Sequence, residues 1–262
     1  MIAYYISETY ELIILLEDKD MKNNRGYFVV IEGPDGAGKT TVANMLVDKL
    51  KSNDYDAIYC REPGGLIEGE KIRDIVLNHE LSTEQRVLLF LASMSGNLEK
   101  IVKPALDDKK IVIMDRFVRS TYIYQGIINH DKNIVGEDYF DTMDVYNNDL
   151  RWQYRQRFMS DLIKYTFKGI FPDIEYVLQV QPEEAWKRTH SRAKAEDVFE
   201  SKGYEYFKHI NNGYWTPLVF PGVDEVVRII TDDKNAEEVT DVIYGNFIKL
   251  IEEDDKAYGD DE

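Results

Sequence analysis

From Tyr27 onward the chain alternates between two hydrophobic rhythms. The run Tyr27–Glu32 is apolar and β-branched with no polar face, as in a parallel strand covered on both sides. It breaks at Gly33-Pro34-Asp35-Gly36-Ala37-Gly38, after which Val42, Met45, Leu46 and Leu50 recur at helical spacing. A second short strand, Ala57–Cys60, follows an Asn53-Asp54 turn. Helical segments over about 66–78 and 83–106 lead to a third strand, Ile111–Met114, and a further helix begins near Val118. Pro172 precedes a fourth strand near Glu175–Val180. Pro182 then opens a helix where its missing N–H costs nothing. A fifth strand, Val226–Ile230, runs into a closing helix over about 236–252. This alternation predicts an α/β architecture: a five-stranded, doubly wound parallel sheet with helices on both faces.

Three stretches fall outside the rhythm. Residues 1–25 hold a short apolar cluster, Leu12 to Leu16, between acidic residues and read as an N-terminal extension. The polar, acidic run from about 127, with Asn147-Asn148-Asp149 marking loop, reads as an insertion ending near 155. Residues 255–262 form an acidic tail, which leaves 26–254 as one domain.

Composition narrows the function. The 262 residues are 44% hydrophobic, enough for one sizeable core, and the net charge is −17. Such a surface repels a phosphate backbone, which disfavours a polynucleotide substrate relative to a small nucleotide. The single cysteine, Cys60, excludes an internal disulfide, and His79, His130, His190 and His209 lack ligand spacing. No apolar run approaches the roughly 20 residues of a membrane span, so the expected compartment is cytoplasmic.

The chemistry sits where strands end. Gly33-x-x-x-x-Gly38-Lys39-Thr40 is a P-loop pattern, placed between a predicted strand and a predicted helix. Its backbone N–H groups can cradle phosphates, Lys39 supplies charge to the outer ones, and Thr40 can hold Mg²⁺. The third strand ends in Asp115-Arg116, an acid placed to reach the same Mg²⁺ and a guanidinium able to grip a phosphate.

Several segments together resemble the bacterial thymidylate kinase family: Gly33-Pro34-Asp35-Gly36-Ala37-Gly38-Lys39-Thr40-Thr41; Arg61-Glu62-Pro63-Gly64-Gly65 with Gly69-Glu70-Lys71-Ile72-Arg73; and Asp115-Arg116-Phe117-x-x-Ser120-Thr121-x-x-Tyr124-Gln125-Gly126. The likeness covers roughly 26–253 apart from the insertion. It implies a P-loop nucleoside monophosphate kinase fold with a short lid, ATP and Mg²⁺ as donor and metal, and a homodimer. Gly33, Gly36, Ala37, Gly38, Lys39, Thr40 and Thr41 would hold the ATP phosphates, with Thr40 and Asp115 at the metal. Asp35 would accept from the acceptor's 3′-hydroxyl, and Arg73 and Arg116 would grip its phosphate. Phe90 would stack on the base, Thr121 and Gln125 would bond its edge, and Tyr124 would crowd the 2′ position. By residue type alone, Phe90 also suits a core, Arg73 a solvated helix face, and Gln125 a helix-terminating contact.

Two positions depart from the family. The residue four beyond Phe90 is usually an arginine reading the 4-oxo group, and here it is Met94. Either a neighbour such as Arg119 or an insertion residue compensates, or the pocket serves a 5-substituted pyrimidine or a relaxed set of deoxynucleotides. In the lid stretch Arg192–Glu200, Val198 stands at the family's second arginine, leaving Arg192, then Lys194, as the basic residue for the transferring phosphate. Three rivals remain: a deoxynucleoside kinase, which Arg73 and Arg116 disfavour; a kinase of bases within DNA, which the charge disfavours; and a silent nucleotide-binding module, which Lys39, Thr40 and Asp115 disfavour.

Overall fold

A computed structural model of the chain describes residues 25–127, 150–191, 198–218, 220 and 222–258. Five strands, β1 (Phe28–Glu32), β2 (Ala57–Arg61), β3 (Ile111–Asp115), β4 (Ile174–Gln179) and β5 (Glu225–Ile230), form one sheet in the order β2-β3-β1-β4-β5. Every pairing is parallel. β1 is central and wholly buried, which is why it carries no polar face.

The pleat sends alternate β1 residues to opposite layers. Val29 and Ile31 pack with Ile111 and Ile113 beneath α1 (Lys39–Ser52), where they meet Val42, Leu46 and Leu50. Phe28 and Val30 pack with Val112 and Met114 against the other layer, which holds Val87, Leu91 and Met94. That second layer follows α2 (Ile67–Asn78) and is built on α3 (Thr83–Asn97), a π-helical turn over Leu98–Val102 and α4 (Lys103–Asp107). A capping box starts α3: Gln85 N–H donates to Ser82 Oγ, and Ser82 N–H donates to Gln85 Oε1.

After β3 come α5 (Val118–Thr121) and a π-helical turn to Ile127, then α6 (Leu150–Phe167), α7 (Pro182–His190), α8 (Tyr204–Gly213) and α9 (Ala236–Tyr258). The expected extension 1–24 and insertion residues 128–149 lie outside the described residues. Two of the expected boundaries fall within helices. The expected insertion's last residues already belong to α6, whose Met159, Ile163 and Phe167 point into the core at i, i+4 and i+8. The expected tail is partly helical, because α9 continues to Tyr258.

Candidate functional site

β1 and β3 are neighbours, so their carboxyl ends deliver the two strand-end motifs to one crevice. In the loop after β1, Gly33, Gly36 and Gly38 all take positive φ. A Cβ on Gly36 would lie 2.3 Å from the Ala185 carbonyl oxygen, so the loop can pack against α7 only as glycine. Lys39 is buried and folds back over the loop. Its Nζ donates to Pro34 O at 2.7 Å and lies 3.8 Å from Asp35 Oδ1. Burial, with the nearby Arg116 charge, lowers its pKa to about 8.

Thr40 Oγ1 donates to Asp115 Oδ2 at 2.5 Å, and Tyr59 OH reaches the same oxygen at 3.3 Å. The other carboxylate oxygen, Asp115 Oδ1, is buried and has no hydrogen-bond partner among the described residues. No cluster of three or more His, Cys, Asp or Glu occurs among the described residues. A cation here would therefore take one carboxylate and one hydroxyl from the protein and fill its shell with phosphate oxygens and water. Mg²⁺ favours that arrangement, so the residues fit it.

Arg116 follows with φ 71°. Its Nη2 pairs with Asp35, and Tyr124 OH donates to the other Asp35 oxygen at 2.9 Å. Burial opposes the guanidinium's charge, but Asp35, helped by Tyr124 and Tyr214, holds it well above its usual range. Arg73, half-buried on α2, donates to Pro63 O at 3.1 Å. Its pKa is lowered by burial and then by the Arg61 and Arg116 charges, against the opposing pull of Glu70 and Asp115.

An aromatic cavity is lined by Asp35, Arg73, Phe90, Arg116, Thr121 and Tyr124, among others. Gln125 is buried, and neither of its amide atoms has a hydrogen-bond partner among the described residues. Met94 is different: it is fully buried in the hydrophobic layer under the sheet and does not line the cavity. Arg119 is no substitute, because it is fully buried and forked onto Glu175 at 3.0 and 2.5 Å. Arg192 and Lys194 lie outside the described residues.

The phosphate cradle contains Lys39, Thr40 and Asp115, and it shares Asp35, Glu62, Arg73 and Arg116 with the aromatic cavity. A separate groove runs from Gly36–Gly38 past Arg188, Lys234 and Asn235. Sequence reasoning missed this groove, although Lys234-Asn235 follows β5 at a strand's carboxyl end, where ligands gather. It also missed Glu62, which burial pushes up to about 8 against hydrogen bonds from Ser93 and Asn97. Phe199 was missed too. Its ring lines the aromatic cavity edge-on to Tyr124 at 5.5 Å, with the Arg86 guanidinium 4.9 Å from its centre.

Comparison with known proteins agrees with this geometry. The family model described as thymidylate kinase matches residues 31–137, from the end of β1 through the Asp-Arg motif. A thymidylate kinase of Caldanaerobacter subterraneus subsp. tengcongensis is 35% identical over 192 residues, covering 72% of this chain and 80% of that protein. One from Finegoldia magna is 32% identical over 215 residues, covering 81% of this chain and 93% of its own length. The chain belongs to the thymidylate kinase family. A thymidylate kinase of Exiguobacterium sp. extends the likeness to 87% of this chain and 97% of that protein, at 29% identity. As a thymidylate kinase family member, the chain is a transferase that acts on nucleotides. Of the two positions expected to depart from the family pattern, Met94 is a core residue and Val198 donates its N–H to Leu77 O at 3.0 Å.

Proposed function

We propose that the protein transfers the γ-phosphate of ATP to a deoxynucleoside monophosphate, dTMP or a related 5-substituted pyrimidine nucleotide, giving the diphosphate. One observation carries this reading: the phosphate cradle and the aromatic cavity share Asp35, Glu62, Arg73 and Arg116. A donor phosphate on one side and an acceptor phosphate on the other would meet beneath two guanidinium groups.

The loop N–H groups from Gly33 to Thr41, with Lys39, would hold the ATP phosphates, and the groove past Arg188 and Asn235 would take the adenosine. Thr40 and Asp115 would hold Mg²⁺, which when bound neutralises charge on the phosphoryl group in transfer. An oxygen of the acceptor phosphate forms the new bond to the γ-phosphorus while the bond to the bridging oxygen of ADP breaks. That oxygen is already anionic, so positioning and charge neutralisation supply the catalysis and no general base is needed. Arg73 and Arg116 would hold the acceptor phosphate and Asp35 the 3′-hydroxyl. Phe90 would stack on the base while Tyr124 crowds the 2′ position. Thr121 and Gln125 would bond the pyrimidine edge, a role supported by Gln125's two amide atoms, unpaired among the described residues. Arg192 and Lys194 would bring positive charge to the transferring group, and each →Ala variant should turn over more slowly than wild type.

Met94 and Arg119 both lie in the core, which favours a base pocket more permissive than the family's. We assign the protein to the cytoplasm, as a homodimer; among the described residues no helix is long and apolar enough to cross a membrane. The test is acceptor-dependent ADP release from ATP and Mg²⁺ with dTMP, dUMP, dCMP and 5-substituted analogues, against acceptor-free controls. Absence of acceptor-dependent release overturns the proposal. A wide margin for dTMP over every alternative removes the permissive pocket.

A further inference from the structure

Glu32 is the last residue of β1, one position before the phosphate loop, and its side chain is wholly buried. A carboxylate taken out of water is costly unless its oxygens are well paired. Here both are. Oε1 accepts from the backbone N–H of Phe117 at 2.7 Å and of Ser120 at 2.9 Å, and Oε2 accepts from Ser120 Oγ at 2.6 Å. All three donors belong to the turn that carries Arg116.

The Ser120 hydroxyl is the pivot. It gives its proton to Glu32 and turns its lone pairs to Arg116 Nη1, which donates to it at 2.8 Å; Tyr214 OH lies 2.8 Å away on the same oxygen. A hydroxyl whose proton is held by a carboxylate is a stronger acceptor, because successive bonds polarise one another. Arg116 also sits at φ 71°, so its backbone needs outside support to stay there. Its N–H is tied to Ile31 O at 3.0 Å, the residue before Glu32. The strand that ends in the donor loop thus braces the arginine on the acceptor side by main chain and side chain together.

We propose that Glu32 is a positioning residue for the acceptor: through Ser120 it fixes the guanidinium of Arg116 at the junction of the two cavities. This rests on the reading of Arg116 as the acceptor-phosphate arginine.

Steady-state kinetics of the full chain with ATP, Mg²⁺ and dTMP test it, using Glu32→Gln, Ser120→Ala, their double variant, and Arg116→Lys as a reference. Glutamine keeps an acceptor for the two backbone N–H groups but sets an N–H₂ against the Ser120 hydroxyl. Each single variant should raise the KM for dTMP about tenfold and leave the KM for ATP within about twofold, and the double should be no worse than the worse single. Ser120 itself lines the acceptor cavity, so non-additivity is what separates bracing from direct contact. Multiplying effects in the double, an unchanged KM for dTMP in Ser120→Ala, or a matching rise in the KM for ATP overturns the proposal. Should Glu32→Gln fail to fold, Glu32→Asp, whose shorter side chain draws its carboxylate back from the Ser120 hydroxyl, takes its place in the same cycle with Ser120→Ala. If Arg116→Lys leaves the KM for dTMP unmoved, the reading of Arg116 fails. If it raises that KM while Ser120→Ala does not, only the role of Glu32 fails.

Discussion

Arg73 is burdened by burial and by the charges of Arg61 and Arg116, whereas Arg116 is held by Asp35. On the proposed reading, an acceptor phosphate beside Arg73 relieves that burden. Arg73→Ala should therefore raise the KM for dTMP by about tenfold or more while affecting the KM for ATP less, read by initial-rate kinetics with either substrate varied. A different residue governs acid stability. Burial lowers the His209 pKa from its ordinary 6.5, so the folded state keeps the ring neutral where the unfolded state protonates it. The unfolded chain then binds more protons as pH falls through 6.5, and stability declines. Urea unfolding at pH 7.5 and pH 5.5 should show a smaller loss for His209→Asn than for wild type; equal losses would show that His209 contributes nothing to the slope.

At the level of elements, the buried pair of Arg119 on α5 and Glu175 on β4 joins the Asp-Arg turn to the central sheet. Removing one partner strands the other's charge in the core. Arg119→Met should cost about 3–5 kcal/mol in denaturant unfolding, whereas Arg119→Met with Glu175→Leu should recover most of that loss. This same pair shows where sequence reading reaches its limit. All five strands were legible because each is a short, mostly apolar run between turn residues, even β5, which is largely exposed. The phosphate loop and Asp115-Arg116 were legible because their spacing is local. Which side Arg119 or Met94 faces depends on how α3 and α5 rotate against the sheet, and that is settled by distant packing. α6 carries a readable i, i+4, i+8 stripe of Met159, Ile163 and Phe167, but the long polar run before it conceals where the helix begins. The buried Glu32 contacts, too, join residues 88 apart in sequence, beyond any local pattern.

On the whole molecule, Leu88 on α3 is 55% exposed, and Phe158 and Tyr165 on the neighbouring α6 are 50% and 82% exposed. Phe158 and Tyr165 are seven apart and so share one helix face, opposite the Met159–Phe167 stripe that enters the core. Large apolar side chains on two packed helices suit a second copy of the chain, since a stable interface needs roughly 800 Å² from each partner. α3 has a further stake in such an interface, because it carries Phe90 into the acceptor cavity. Covering its outer face would hold that ring against the cavity, so assembly and acceptor binding should be linked. Light scattering of wild type at micromolar concentration should give twice the chain mass. The pair Leu88→Glu and Tyr165→Glu should give a single chain with a raised KM for dTMP and an unaltered KM for ATP. A wild type that is already a single chain would leave this face without a partner copy. A monomeric variant with unchanged dTMP kinetics would instead confine the interface to assembly and detach it from the reaction.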